Sequence, residues 1–260
     1  MILKSRFALL VSAVVLACPP AVAVAQPAAQ QERVAASFVL ALGRTPTSGE
    51  LEQWAKQEPL PLADLVARHR GQLQSDPAAQ QAVIAKASQD AFGRAPGEDG
   101  VTGVPGGGPY AEVVQRHLRW LAEHPDVYER VMNRAYRLVL RRDAYSIEAD
   151  YWKRQPALSF ALLAGCIDDW ARRNQPGLMA TAGSASVSVN SAYLVTVRLS
   201  PAVAAEARAA SGMAPSRLAP RDSALGRTIV APGAEQVASV GGIFFAAAGS
   251  ARLASASGRE

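Results

Sequence analysis

Groups able to carry chemistry are scarce in this chain. It has two cysteines, Cys18 and Cys166, and three histidines, His69, His117 and His124. One cysteine lies in a segment expected to be removed, and a single remaining thiol cannot close an internal disulfide. The motif H-E-x-x-H, a paired Cys-x-x-Cys and an acidic calcium loop are all missing. "GVPGGGPY" is glycine-rich but lacks the Lys-Ser/Thr of a phosphate-binding loop. No Gly-x-Ser-x-Gly elbow occurs, and the neighbouring aspartates of "CIDDW" point apart on a helix. No catalytic residue, metal ligand or cofactor is therefore assigned.

Aromatics make up only 6% of the residues, although 49% are hydrophobic. Alanine supplies much of that fraction, which favours closely packed helices. Lysine is confined to Lys4, Lys56, Lys86 and Lys153, and arginine carries most of the positive charge. Acids and bases alternate without a basic stripe, so a nucleic-acid partner is not expected.

The N-terminus is more specific. "MILKSR" is a short basic region, "FALLVSAVVLA" an apolar run of 11 residues, and Ala23-Val24-Ala25 a small-residue cleavage site. The run is too short for a bilayer, which takes about 20 residues. Residues 1–25 are expected to be a signal peptide, leaving Gln26 first and removing two charges from the formal +5. A rival exists in "VLAC" at 15–18, which loosely resembles a lipobox and makes Cys18 a candidate lipidation site. The product is expected in the periplasm or at the cell surface, lipid-anchored in the rival case.

Sliding the chain along itself exposes a repeat. At a shift of 48, residues 62–94 lie on 110–142 without a gap and with nine identities, among them His69 on His117, Pro77 on Pro125 and Arg94 on Arg142. A shift of 98 brings Trp54 onto Trp152, and a shift of 50 brings "GRTP" onto "GRAP". The expected fold is mainly α: three helical repeats of about 50 residues within 26–176. The second is incomplete, with the glycine loop "GVTGVPGGGPY" replacing the tryptophan-bearing helix.

Two segments carry the fullest motif, "ALGRTPTSGELEQW" and "VLRRDAYSIEADYW". Each places a glutamate six residues and a tryptophan ten residues after an arginine. Arg44, Glu50 and Trp54 in one copy and Arg142, Glu148 and Trp152 in the other are read as structural, with Arg94 as the second unit's arginine. The pair would fix the angle of a helix–loop–helix turn, and the indole would pack on the preceding helix. Gly43 and Gly93 suit a left-handed helix end; with Arg141 there, the third stop is expected to differ. His69 and His117, flanked by arginines, are expected at the surface or in an interface, and Cys166 as a small buried apolar residue.

The GR-x-P turn followed by an acid and a tryptophan resembles the repeats of a bacterial domain of unknown function, family 4214. "ALGRTPTSGELEQW" fits best, with Trp54 one residue late; "VLRRDAYSIEADYW" lacks the glycine before its motif arginine. The resemblance implies an all-helical fold, akin to phycobilisome linker domains, on exported or surface-associated proteins. It implies no catalytic residues.

Residues 177–213 are expected to form a strand–helix element. "VSVNSAYLVTVRL" alternates with period two, and Ser200 and Pro201 open a helix. Residues 214–260 are expected to be a linker and a Gly/Ala-rich, β-prone or partly disordered tail. The functional expectation is an exported, non-enzymatic scaffold that binds a protein or envelope component. It meets the membrane only if Cys18 is lipidated or the tail anchors. The alternative is a periplasmic enzyme with a site between the helical part and the C-terminal strands.

Overall fold

The computed structural model describes residues 26–98, 106–174, 195–211, 235–240 and 243–247. The expected signal peptide, Cys18 and most of the tail lie outside them. The chain is mainly helical. In order come α1 (Gln26–Leu42), α2 (Ser48–Ala55), α3 (Leu62–Ser75), α4 (Pro77–Phe92), α5 (Tyr110–Glu123), α6 (Pro125–Leu140), α7 (Ser146–Lys153) and α8 (Phe160–Asn174). Then follow β1 (Val195–Leu199), α9 (Pro201–Ala210), β2 (Glu235–Val240) and β3 (Ile243–Ala247). Among the described residues no helix is long and apolar enough to cross a membrane.

The repeat is visible in the element boundaries. Both ends of α5 and α6 sit 48 residues after the corresponding ends of α3 and α4. Each unit is a long helix, a turn and a closing helix: α1 packs on α3, α4 on α5, and α6 on α8. Short helices α2 and α7 bridge the first and third units; the second has none among its described residues. Local chemistry sets the boundaries. Pro61 and Pro109, at φ −56° and −57°, immediately precede α3 and α5. Asp76 accepts from the backbone N–H groups of Ala78 and Ala79 at 3.0 Å, capping α4, whose first residue is Pro77.

The three long helices end alike. Gly43, Gly93 and Arg141 have φ of 70°, 71° and 58°. The third stop differs in detail, as expected: Arg141 adopts the same left-handed conformation, at a cost of about 1 kcal/mol for a residue with a Cβ, but among the described residues the N–H bonds of Gly43 to Val39 and of Gly93 to Gln89 have no counterpart there. What lies against it differs too. A Cβ on Gly43 would sit 2.5 Å from the Tyr110 ring, and one on Gly93 would sit 2.8 Å from the Phe160 ring. Those rings open α5 and α8, so each closing helix starts on the bare end of the preceding unit's first helix. The stack propagates through these two glycine–ring contacts.

The core follows the stack. One cluster joins α1, α3, α4 and α5 through Val39, Leu40, Leu62, Val83 and Val114, and another joins α4, α5, α6 and α8 through Phe92, Leu121, Met132 and Leu163. The first also takes in Val197, Leu199, Val203, Ala204 and Ala207 of β1 and α9. The strand–helix element thus shares a core with the first unit. Helix α9 packs on α3 and α1. The Arg33 guanidinium donates to Glu206 at 2.8–3.1 Å, and the Ser200 N–H and hydroxyl donate to Glu32 at 2.7 and 2.6 Å. The described strands form one sheet in the order β1-β3-β2, with β1 parallel and β2 antiparallel to β3.

Candidate functional site

The twice-repeated motif folds into the same clasp in units one and three. The Arg44 guanidinium donates to both Glu50 oxygens at 2.7 and 2.8 Å and to the Thr45 carbonyl at 3.2 Å. Arg142 repeats this with Glu148 at 2.7 and 2.8 Å and the Asp143 carbonyl at 2.9 Å. Each glutamate also accepts from the backbone N–H that precedes its helix, Thr47 or Tyr145, both at 2.8 Å. One carboxylate thereby caps a short helix and grips the turn before it.

Each guanidinium rests 5.3 Å from a ring centroid on the preceding long helix, Phe38 under Arg44 and Tyr136 under Arg142. Trp54 meets Phe38 edge to face at 5.9 Å, and the Trp152 indole N–H donates to the Tyr136 hydroxyl at 3.1 Å. The hydrogen bond to Arg44 is the largest influence on Glu50 and holds its carboxyl down at about 2. Glu148 is also lowered: burial pushes it upward, and the hydrogen bonds of Arg142 and the Tyr145 backbone overcome that. In the second unit Arg94 lies 3.9 Å from Glu98.

The histidines depart from the surface alternative. His69 and His117 are 1% and 3% exposed, because the helix face that carries them turns toward the long helix of the same unit. His69 lies tilted against Trp54 and edge to face with Phe38, 4.6 Å from each, with its ring nitrogens 3.2 Å from Ser37 Oγ and Gln72 Oε1. His117 lies 4.9 Å from Phe92, and its Nδ1 has no hydrogen-bond partner among the described residues. Burial drives both imidazoles down, His117 to about 4. His124 stacks on Trp120 at 3.9 Å and donates to that residue's carbonyl at 2.7 Å. Cys166 is partly buried against the core of units two and three.

The burial of two acids, Asp90 and the Asp168 of "CIDDW", was not legible in the sequence. Asp90 accepts from the Tyr110 hydroxyl at 2.5 Å and from Lys86 at 2.5–2.6 Å, so the ring that covers Gly43 is tethered through its hydroxyl. Burial is the main influence on Asp90 and raises its carboxyl. Asp168 pairs with Arg172 at 2.9 Å through one oxygen. The only signal for either was a lysine or arginine one helical turn away. Among the described residues no group of three or more His, Cys, Asp or Glu side chains could hold a metal ion.

Two surface features remain. An open, mostly apolar cavity of about 530 Å³ lies between the end of α9 and the start of α3, lined by Pro59, Pro61, Leu62, Arg33, Glu206 and Ala210. Its two charged groups are already paired with each other. It occupies the junction that Tyr110 and Phe160 fill in the other two interfaces; Leu62 and the alanines of α9 leave it open. The other feature is the turn from α6 to α7, where Tyr145 and Ile147 are 63% and 74% exposed.

Comparison of the chain with models of protein families, with characterised proteins and with solved structures finds no match.

Proposed function

We propose that the chain is an exported, non-enzymatic scaffold of the cell envelope that acts by binding another protein or an envelope component. The observation that carries this reading is the clasp. Its arginine, glutamate and tryptophan recur in separate units, and in both the charged and aromatic groups satisfy one another in a turn. Groups committed in this way set the angle between helices, and a rigid stack of short units offers a long surface for a partner. The sequence resemblance to family 4214, with its linker-like repeats, points the same way. Export rests on the sequence of residues 1–25.

Two measurements test the reading. Mass spectrometry of the mature protein is expected to give Gln26 at the N-terminus; an acylated Cys18 would change the placement to lipid-anchored, and an intact Met1 would remove the export claim. Affinity capture from the native envelope with residues 26–260 as bait is expected to recover a saturable partner. Turnover of an envelope substrate by the purified chain, with no partner recovered, would favour the enzyme alternative.

A further inference from the structure

The α6–α7 turn differs from its counterpart in the first unit by substitutions that packing does not require. Under the 98-residue shift, Gly43, Thr47 and Gly49 become Arg141, Tyr145 and Ile147. The first unit makes the same clasp and the same left-handed helix end with small or polar residues. The third unit holds an arginine at φ 58° and exposes two large apolar side chains within the same seven residues. Each change is unfavourable for the isolated chain: a Cβ in the left-handed region is strained, and apolar surface stays in water.

Charge pairing marks the same place. Along α6 and α7, Arg130 pairs with Asp126, Arg137 with Asp143, Arg142 with Glu148 and Lys153 with Glu129. Arg141 is exposed and has no hydrogen bond or ion pair among the described residues. Beside it the Arg142 guanidinium lies 4.0 Å from the centroid of the Tyr145 ring. That contact holds the exposed ring in one orientation, which lowers the entropy lost when a ligand covers it.

We propose that Arg141, Tyr145 and Ile147 form a docking surface for an acidic segment of a partner protein, in which a Glu or Asp carboxylate meets Arg141 and a neighbouring apolar side chain covers Tyr145 and Ile147. The proposal rests on the scaffold reading and names its contact surface. A carboxylate is the complement of the one uncompensated guanidinium of this turn, and a planar fork of donors favours carboxylate geometry. The apolar pair beside it supplies the water-excluding contact that gives such a pairing strength.

The test uses residues 26–260 and synthetic 12-residue peptides carrying one glutamate and one leucine or phenylalanine at varied spacing, with a matched set in which glutamine replaces the glutamate. Fluorescence anisotropy is expected to find glutamate peptides that bind and whose glutamine counterparts bind about tenfold or more weakly. The variant Arg141→Gly/Tyr145→Thr/Ile147→Gly carries the first unit's own residues, so it is expected to fold with an equal or higher thermal midpoint while losing about tenfold or more in affinity. Arg141→Glu is expected to reverse the preference, favouring peptides with lysine in place of glutamate. Equal binding of glutamate and glutamine peptides, unchanged affinity in the triple variant, or a self-association that the triple variant abolishes would each overturn the proposal. Recovery of the same envelope partner by wild type and triple variant would sink this surface and leave the scaffold reading standing; recovery of none by either would sink the scaffold reading itself.

Discussion

Burial of His117 should make this stack lose stability between pH 7 and 5, before the carboxylates with lowered values titrate. The imidazole is 3% exposed, faces Phe92 at 4.9 Å and leaves Nδ1 without a hydrogen-bond partner among the described residues. Desolvation is the largest influence on it; hydrogen bonding to the Ala87 backbone works in the opposite direction, and the Arg116 charge adds to the lowering. The folded value of about 4 stands against an ordinary 6.5. Between those values the unfolded chain binds a proton that the folded chain refuses, so stability is full above pH 6.5 and falls as pH drops toward 4. At about 1.4 kcal/mol for each pH unit separating the two values, full protonation costs about 3 kcal/mol. About 2 kcal/mol of that is lost between pH 7 and pH 5.

The carboxylates with lowered values stay silent between pH 7 and 5, and Asp90, which burial raises, acts in the opposite sense but equally in wild type and a His117 variant. Glu50, Glu148 and Glu206 have folded values below their ordinary 4.5, so the stability they contribute is present above that pH and is lost only on further acidification. His69 shifts in the same direction as His117 and adds to the slope. The repeat supplies the control, because the third unit has Ile167, 3% exposed, at the equivalent place. Urea denaturation followed by circular dichroism at pH 7, 6 and 5 and fixed ionic strength is expected to show wild type losing about 2 kcal/mol more than His117→Ile. His117→Ile should retain only the smaller slope set by His69 and Asp90. Equal losses in wild type and His117→Ile between pH 7 and 5 would refute the burial argument.

Further outcomes follow from the stacking contacts. Gly43→Ala forces a methyl to 2.5 Å from the Tyr110 ring at φ 70° and is expected to lower stability by about 2–4 kcal/mol in chemical denaturation, whereas Gly49→Ala, with nothing within 4 Å, should change it by less than about 0.5 kcal/mol. Tyr110→Phe removes a hydroxyl bonded to buried Asp90 at 2.5 Å and should cost about 1–3 kcal/mol by the same assay. Glu148→Ala deletes a helix cap and leaves the half-buried Arg142 unpaired; a loss of about 1–2 kcal/mol is expected, measurable as a fall in the thermal midpoint. Glu206→Ala releases the Arg33 fork that ties α9 to the first unit, and faster hydrogen exchange in residues 201–210 than in α5 would report it.

The periodic part of this architecture was legible because each unit was copied with little insertion. A gapless shift of 48 already paired α3 with α5 and α4 with α6, and the shift of 98 paired the tryptophan helices. The glycine–ring contacts were harder, since Tyr110 lies far along the chain from Gly43. Their signal was present nonetheless: the same 50-residue shift that moves Gly43 onto Gly93 moves Tyr110 onto Phe160. Between surface and interface, the sequence left the histidines open, because flanking arginines say nothing about which way an intervening side chain turns; the structure puts them in helix interfaces. The left-handed end at Arg141 was not legible because a residue with a Cβ can hold that conformation, at a cost, where no other group crowds it.

The placement of α9 shows how the same grammar can close a stack. Val203-Ala204-Ala205 followed by Gly212-Met213-Ala214-Pro215 keeps the spacing of Val34-Ala35-Ala36 and Gly43-Arg44-Thr45-Pro46, although residues 212–215 lie outside the described structure. Helix α9 stands against α3 as α1 stands against α5 and α4 against α8, so it fills the slot of a first helix belonging to a unit that would precede the first. The other end is closed by substitution. Ala36, Val39 and Gly43, on the part of α1 that meets the next unit, correspond to Arg134, Arg137 and Arg141 on α6. Arg134 folds back to the Phe92 carbonyl and Arg137 to Asp143. A fourth unit would have to seat a ring against the Cβ of Arg141 and strip water from neighbouring guanidinium groups, so the sequence that builds the stack also limits it to three units, and the arginine that stops it is left facing solvent.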